Sequence, residues 1–391
     1  MRPNHLDVDR LRLDTTSLSC LSPRLGGAPG EAIARDWVTD QFRAVGLDRV
    51  HHQRIFYPRW IGSGRLSVDG RELPALALHG SASTPRAGLT APLLDLGAGT
   101  AEDYARCSPA DLRGKIHFAE AGVIYRRRTV LRAEKSRAAG VILANPVGAE
   151  IEAGTAQIFG RIPIFAVSRE TGAALREAAR RGAEMNLAVE SRYVIGRCAN
   201  VVGEICGARR EYIQLAAHYD AWYSGAADNA AGVATLLELA RCWRGQHFPL
   251  TLRFVSFAAE EEGLMGSLFD VVTRWPTVKA LCRGVVSPDI VGPRTEGLYI
   301  SGGPAVARAM AAEAAREIGY TGAAIRDFPE TTFGDHWPYT RLGIPGLMFS
   351  KMPYPHYHTP NDTPAQIDWD EVRWMTAIVG RVVEKWMGGG R

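Results

Sequence analysis

Tyr212-Ile-Gln-Leu-Ala-Ala-His218-Tyr-Asp220-Ala-Trp-Tyr-Ser-Gly-Ala-Ala-Asp228-Asn-Ala-Ala-Gly232 is the stretch on which the reading of this chain turns. Its first six residues form an apolar run with the length of a buried strand. The segment that follows it, Val233-Ala-Thr-Leu-Leu-Glu-Leu-Ala240, has helical apolar spacing. The polar part therefore lies where a strand hands over to a helix, the edge of an open α/β sheet where sites are assembled. An imidazole at the strand end and a carboxylate just before the helix can be aimed at one point, which is what a metal ion requires. Taken alone, the stretch is as well explained by a polar loop whose Asp228 caps the helix.

Three further segments repeat the pattern. Thr251-Leu-Arg-Phe-Val-Ser-Phe257 runs into Glu260-Glu-Glu262-Gly263. Three adjacent carboxylates repel one another, and a cation at the strand end would resolve the repulsion. Asp289 lies among apolar residues in Val285-Val-Ser-Pro-Asp-Ile-Val-Gly292, a costly place for an unpaired charge. His356-Tyr-His358 and Asp362 follow the candidate strand Gly346 to Phe349. Four strand ends that each deliver His, Asp or Glu outweigh the loop reading of any one of them. With a further strand at Leu298 to Ser301 and helices expected at Ala230 to Trp243, Met265 to Thr273, Val306 to Ile318 and Trp369 to Trp386, the fold class is α/β. It is a mostly parallel mixed sheet with helices on both faces.

The rest of the chain reads differently. Ile33, Trp37, Val38, Phe42 and Val45 have helical spacing, and a strand is expected from Val50 to Tyr57. Pro58 to Gly64 reads as a turn-rich break. From Arg65 short apolar runs alternate with turns, with short helical patterns only at Thr129 to Ala139 and Thr171 to Ala179. The expected organisation is a discontinuous catalytic domain, 1–64 and 195–391, with a small β-rich domain, 65–194, inserted into it. No group of His, Asp and Glu at ligand spacing lies in the inserted part.

Composition narrows the function classes. The 391 residues are 46% hydrophobic and 23% charged with net charge +4, which gives no reason to expect nucleic acid or an anionic membrane as partner. Arg126-Arg-Arg128 with Arg132 reads as a solvated face. No apolar run approaches the roughly 20 residues of a membrane span. The six cysteines are scattered without a CxxC pair and read as reduced, packed thiols. The N-terminus lacks the apolar core of a signal peptide, so a cytoplasmic protein is expected. A homo-oligomer is left open.

Two resemblances follow from these motifs. "DLRGKI" (111–116), "KSRAAGVILAN" (135–145) and "IPIFAVS" (162–168) resemble, in this order, the protease-associated domain, an accessory domain that often shapes substrate access. "AHYDAWYSGAADNAAG", "FVSFAAEEEGLMGS", "SPDIVG", "DHWPYTRLGIP" and "YHTPNDT" resemble the di-zinc aminopeptidase family related to glutamate carboxypeptidase, glutaminyl cyclase and transferrin receptor. That resemblance implies two Zn2+, with Mn2+ or Co2+ as substitutes. His218 and Asp289 would hold one ion, Glu261 and His358 the other, with Asp228 between them. Glu260 would be the general base, Asp220 would fix His218, and Tyr357 would stabilise the oxyanion. Ser287 and Gly334 depart from the family pattern. The third acid, Glu262, leaves the Glu260–Glu261 register open to a shift by one. The implied activity is amide hydrolysis by an exopeptidase, most simply an aminopeptidase. A carboxypeptidase or N-acyl amino acid hydrolase would need arginines such as Arg294, Arg326 or Arg341 to grip a carboxylate. A glutaminyl cyclase, or a receptor-like protein that has lost its metals, would fit the motifs less well.

Overall fold

The computed structural model describes residues 2–120, 123–329 and 333–388. The chain divides into two units, Met1–Tyr57, Gly196–Tyr354 and Pro360–Arg391 in one, and Pro58–Ile195 with Pro355–Thr359 in the other.

In the first unit the strand order is Ala324–Phe328, Gly297–Gly303, Gly346–Met352, Cys282–Pro288, Arg209–His218, Leu250–Phe257 and the second half of Glu184–Ile205. The four strands from Gly346–Met352 to Leu250–Phe257 are mutually parallel, with Phe257 opposite His218 and Pro288 opposite Phe349. Parallel strands need crossovers, and the intervening helices cover both faces of the sheet. Val271, Val278 and Tyr339 pack with Ala216, Val255 and Val285 in one buried cluster. Helix Ala231–Trp243 covers the opposite face, with Trp243 against Phe254 and with helices Val8–Ser19 and Trp369–Gly388 packed on it. Coverage on both sides explains why these strands read as unbroken apolar runs rather than as alternation. Because all four run the same way, their carboxyl ends lie along one edge, and that edge receives His218, the Glu260–Glu262 turn and Asp289.

The second unit is also layered. Leu89–Asp95, Ile116–Glu120, Gly140–Ala144 and Ile164–Val167 are parallel, with the first half of Glu184–Ile205 antiparallel at one edge and Leu76–Ala77 at the other. Helix Arg169–Arg180 buries Leu175 on one face, and helix Val123–Lys135 buries Val130 and Ala133 on the other. The unit thus carries more helix than its sequence texture suggests, and the helix expected at 129–139 begins earlier and ends at Lys135.

Two expectations are corrected. Pro58 to Gly64 is not a turn, because a single strand runs from Asp48 to Val68, although the boundary between the two units does fall at Tyr57–Pro58. Its glycines are there for contact rather than for turning: a Cβ on Gly64 would lie 2.7 Å from Phe165 Cζ, and one on Gly62 2.7 Å from Ser191 Cβ. Arg126 does not lie on a solvated face, since it is buried and paired with Glu152 at 2.9 Å. Among the described residues, no helix is long and apolar enough to cross a membrane.

Under the sheet of the first unit, Asp270 collects a polar network inside the core. It accepts from Arg253 at 2.9 Å, Arg274 at 3.0 Å and the Tyr339 hydroxyl at 2.6 Å. Burial pushes its pKa up, but the two guanidiniums outweigh that and hold it below the usual carboxylate range. Its contribution to stability is therefore present at neutral pH and lost as the pH falls through the depressed value. Asp270→Ala leaves Arg253 buried without its carboxylate, so a loss of about 3–5 kcal/mol is expected in urea unfolding at pH 7. A loss below about 1 kcal/mol would mean that water or a neighbour already satisfies Arg253.

Candidate metal centre

His218 is the shared member of the site. It ends its strand fully buried, with Nε2 3.0 Å from an Asp228 carboxylate oxygen and 3.4 Å from one of Asp289. Two groups of potential ligand atoms, each within 4.8 Å of one another, meet at this ring: His218 with Glu260 and Asp289, and His218 with Asp228 and Glu261. The ring's other nitrogen, Nδ1, lies 3.1 Å from the Asp220 carbonyl oxygen. A carbonyl only accepts, so Nδ1 carries the hydrogen and Nε2 presents its lone pair to the acids.

Asp220 approaches His218 more closely with its carbonyl oxygen than with its carboxylate. Its carbonyl fixes His218, whereas its carboxylate stands 3.7 Å from the ring and instead accepts from the amides of Glu260 at 3.1 Å and Glu261 at 3.2 Å. One residue thereby couples the ends of two adjacent strands. The Glu260–Glu261 pair does not gain its two directions from strand alternation either. The strand stops at Phe257, and the acids sit in the turn that follows, where Ala259 has φ 53°. Trp222 Nε1 donates to Glu261 at 2.8 Å, and Glu260 is left half-buried. Glu262 accepts from the Tyr57 hydroxyl and belongs to neither ligand group. Its carboxylate thus faces Tyr57, whereas those of Glu260 and Glu261 each fall in a group with His218.

The Asp228 loop is held from three sides. Asp362 accepts from the amides of Ala227 at 2.8 Å and Asp228 at 3.1 Å, and it takes the Tyr354 hydroxyl at 3.0 Å. Asn229 donates to the Pro288 carbonyl at 3.0 Å, which ties the loop to the strand that carries Asp289. Arg24, wholly buried, donates to the carbonyls of Tyr219, Ser224 and Gly225 at 2.5–2.8 Å. Sequence reasoning missed Arg24, Tyr57 and Trp222 and quoted Asp362 without a role. Of these four, Trp222 and Asp362 lie within the quoted motifs, and Arg24 and Tyr57 do not.

His358 and Tyr357 lie in the short segment Pro355–Thr359 that belongs to the second unit. His358 is buried, its Nδ1 is 3.1 Å from the Ala153 carbonyl, and its ring stacks on that of Tyr357 with centroids 3.7 Å apart. It thus has the same hydrogen-bond pattern as His218. Of the two extra histidines, His356 faces Glu150 at 3.8 Å. His336 is buried, and neither ring nitrogen has a hydrogen-bond partner among the described residues; burial lowers its pKa to about 3, so it is a neutral ring. Arg294 is forked onto Asp368 at 2.6 and 2.9 Å, while Arg326 and Arg341 are exposed.

The electrostatics fit a cation. Burial would strip His218 of its proton, yet Glu260 and Asp289 outweigh it and raise the pKa. Burial raises the pKa of Glu260 and Asp289 as well, and pushes Asp335 to about 7 and Asp362 to about 6. Buried acids at this density are relieved either by taking up protons or by positive charge among them. The Arg24 guanidinium is committed to carbonyls. The field that draws a proton onto His218 draws a divalent ion equally, and imidazole with carboxylates is a donor set for zinc.

Residues 200–383 match the family model for peptidase family M28, and residues 89–175 match that for the PA domain. Aminopeptidase YwaD of Bacillus subtilis (strain 168) is 28% identical over 388 residues, spanning 93% of this chain and 82% of that protein. BSAP, a zinc aminopeptidase from Bacillus subtilis, superimposes with a TM-score of 0.76 at 25% identity, covering 97% of this chain and 95% of that one. The aminopeptidase from Aneurinibacillus sp. strain AM-1 gives a TM-score of 0.73 at 26% identity, covering 98% and 94%. The chain is thus similar to peptidase family M28 over residues 200–383 and to the PA domain over residues 89–175.

Proposed function

We propose that this protein is a zinc aminopeptidase that holds two ions and releases N-terminal residues from peptides or small amino-acid amides. The observation that carries the proposal is His218, shared between one group containing Asp289 and Glu260 and another containing Asp228 and Glu261. His218 and Asp289 would hold one ion, Glu261 would hold the other, and Asp228 would serve both. His358 is assigned to the second ion by the "YHTPNDT" motif and by the lone pair that its bonded Nδ1 leaves at Nε2. The aminopeptidase names of the relatives support the reaction class.

Zinc supplies Lewis acidity and brings the pKa of a water into the physiological range. The residues do the rest. Glu260, half-buried and held through its amide by Asp220, takes a proton from the attacking water and passes it to the leaving amine. Tyr357 donates its hydroxyl to the carbonyl oxygen as charge develops there. The surplus of carboxylates receives the free α-ammonium group of the substrate, which selects for an unblocked N-terminus. The pairing of Arg294 with Asp368 takes one arginine away from the carboxylate grip that a carboxypeptidase would need.

Elemental analysis of the zinc-saturated protein should approach two equivalents per chain. A value that stays at one under excess zinc would contradict the two-ion reading and the role given to Asp228 in it.

Substitution separates the three adjacent acids. Glu260→Gln keeps the size of the side chain but not its basicity, so kcat on aminoacyl p-nitroanilides should fall about 10²–10⁴-fold with zinc content unchanged. Glu261→Gln should lose zinc. Glu262→Gln, which faces Tyr57, should keep its zinc and most of its turnover. Zinc loss in Glu262→Gln but not in Glu261→Gln would move the register by one. In a panel of substrates, N-acylated and C-terminally blocked compounds test the end preference, and faster cleavage of the N-acylated ones would replace aminopeptidase by acyl hydrolase.

A further inference from the structure

The loop Glu152-Ala-Gly154 of the inserted unit touches His358 on several sides at once. His358 Nδ1 lies 3.1 Å from the Ala153 carbonyl, and the Ala153 amide donates back to the His358 carbonyl at 3.0 Å. The same Ala153 carbonyl accepts from Arg126 Nη1 at 3.1 Å, while Arg126 Nη2 donates to Glu152 at 2.9 Å. The side chains of Arg126 and Glu152 are only 6% and 9% exposed, so this is an interior ion pair. Gly154 has φ +142°, and a Cβ there would fall on Arg126 Nη1 and lie 3.1 Å from His358 Nδ1. His358 itself has φ 53°, a left-handed conformation that a side chain adopts only when its surroundings over-determine it. Interior ion pairs contribute little net stability, and fixing one geometry is among their attested uses. Here the geometry fixed is that of a carbonyl aimed at an imidazole.

We propose that Arg126, Glu152 and Gly154 are positioning residues that set the tautomer and ring direction of His358. The proposal rests on the reading of His358 as a zinc ligand. Arg126 orients the Ala153 carbonyl, the carbonyl holds the hydrogen on Nδ1, and Nε2 keeps the lone pair that a metal takes. Gly154 leaves the room in which guanidinium and imidazole approach the same oxygen.

The test is zinc affinity, measured on the full chain by competition with a chromophoric chelator, with circular dichroism and thermal melting as controls for folding. Arg126→Ala should weaken zinc binding about 10–100-fold at the site that His358→Ala removes, and leave the remaining zinc binding as in the wild type. Arg126→Lys keeps the charge beside Glu152 but not the two-pronged donor, and should fall between Arg126→Ala and the wild type. Gly154→Ala, which leaves both charges in place and presses on the contact, should weaken the same site, and it decides the matter if Arg126→Ala does not fold. Wild-type affinity in His358→Ala would overturn the assignment of His358 as a ligand, and the proposal with it. Weakened binding in His358→Ala together with wild-type affinity in folded Arg126→Ala or Gly154→Ala would overturn the proposal alone.

Discussion

The structure of the peptidase unit depends on the parallel pairing of four strands. Antiparallel neighbours would send alternate carboxyl ends to opposite edges. Here Arg209–His218, Leu250–Phe257, Cys282–Pro288 and Gly346–Met352 all run one way, and the first three deliver their acids and imidazole to one place. The cost is electrostatic: buried carboxylates crowd round one imidazole, and their pKa values rise in response. Cations placed among these carboxylates would offset that cost.

Rigidity comes from groups that touch no ligand atom. The Asp220 carboxylate spans the ends of two strands, Asp362 and Arg24 clamp the loop that bears Asp228, and Asn229 ties that loop to Pro288. Each contact joins segments far apart in sequence, so each acid is fixed from more than one direction. Such supports determine whether ligands stand ready before a metal arrives. They also explain why three adjacent glutamates can differ in role: Asp220 takes the amides of the first two, Trp222 takes the side chain of the second, and Tyr57 takes that of the third.

The central strands and their helices were legible because burial on both faces leaves unbroken apolar runs, and because a polar cluster at each strand end marks the edge. The ligand candidates were legible for the same reason. The long strand Asp48–Val68 was not, since Pro58, Gly62 and Gly64 look like turn residues, whereas the two glycines make room for Ser191 and Phe165. Arg126 was misread because three consecutive arginines look solvated, yet neighbours on a helix point in directions about 100° apart, and one of the three can turn inward to Glu152. Arg24 had no local signal at all. Its partners are three carbonyls about 200 residues away in the sequence, and only the fold brings them to it.

The central claim is that His218, Asp289, Asp228 and Glu261 hold two cations, with Asp228 serving both. Anomalous diffraction at the zinc absorption edge, from crystals grown with excess zinc, tests it most directly. The account predicts two peaks about 3.5–4 Å apart beside Asp228, one contacting His218 and Asp289 and the other Glu261. A single peak, or peaks that leave Asp228 without contact, would contradict it.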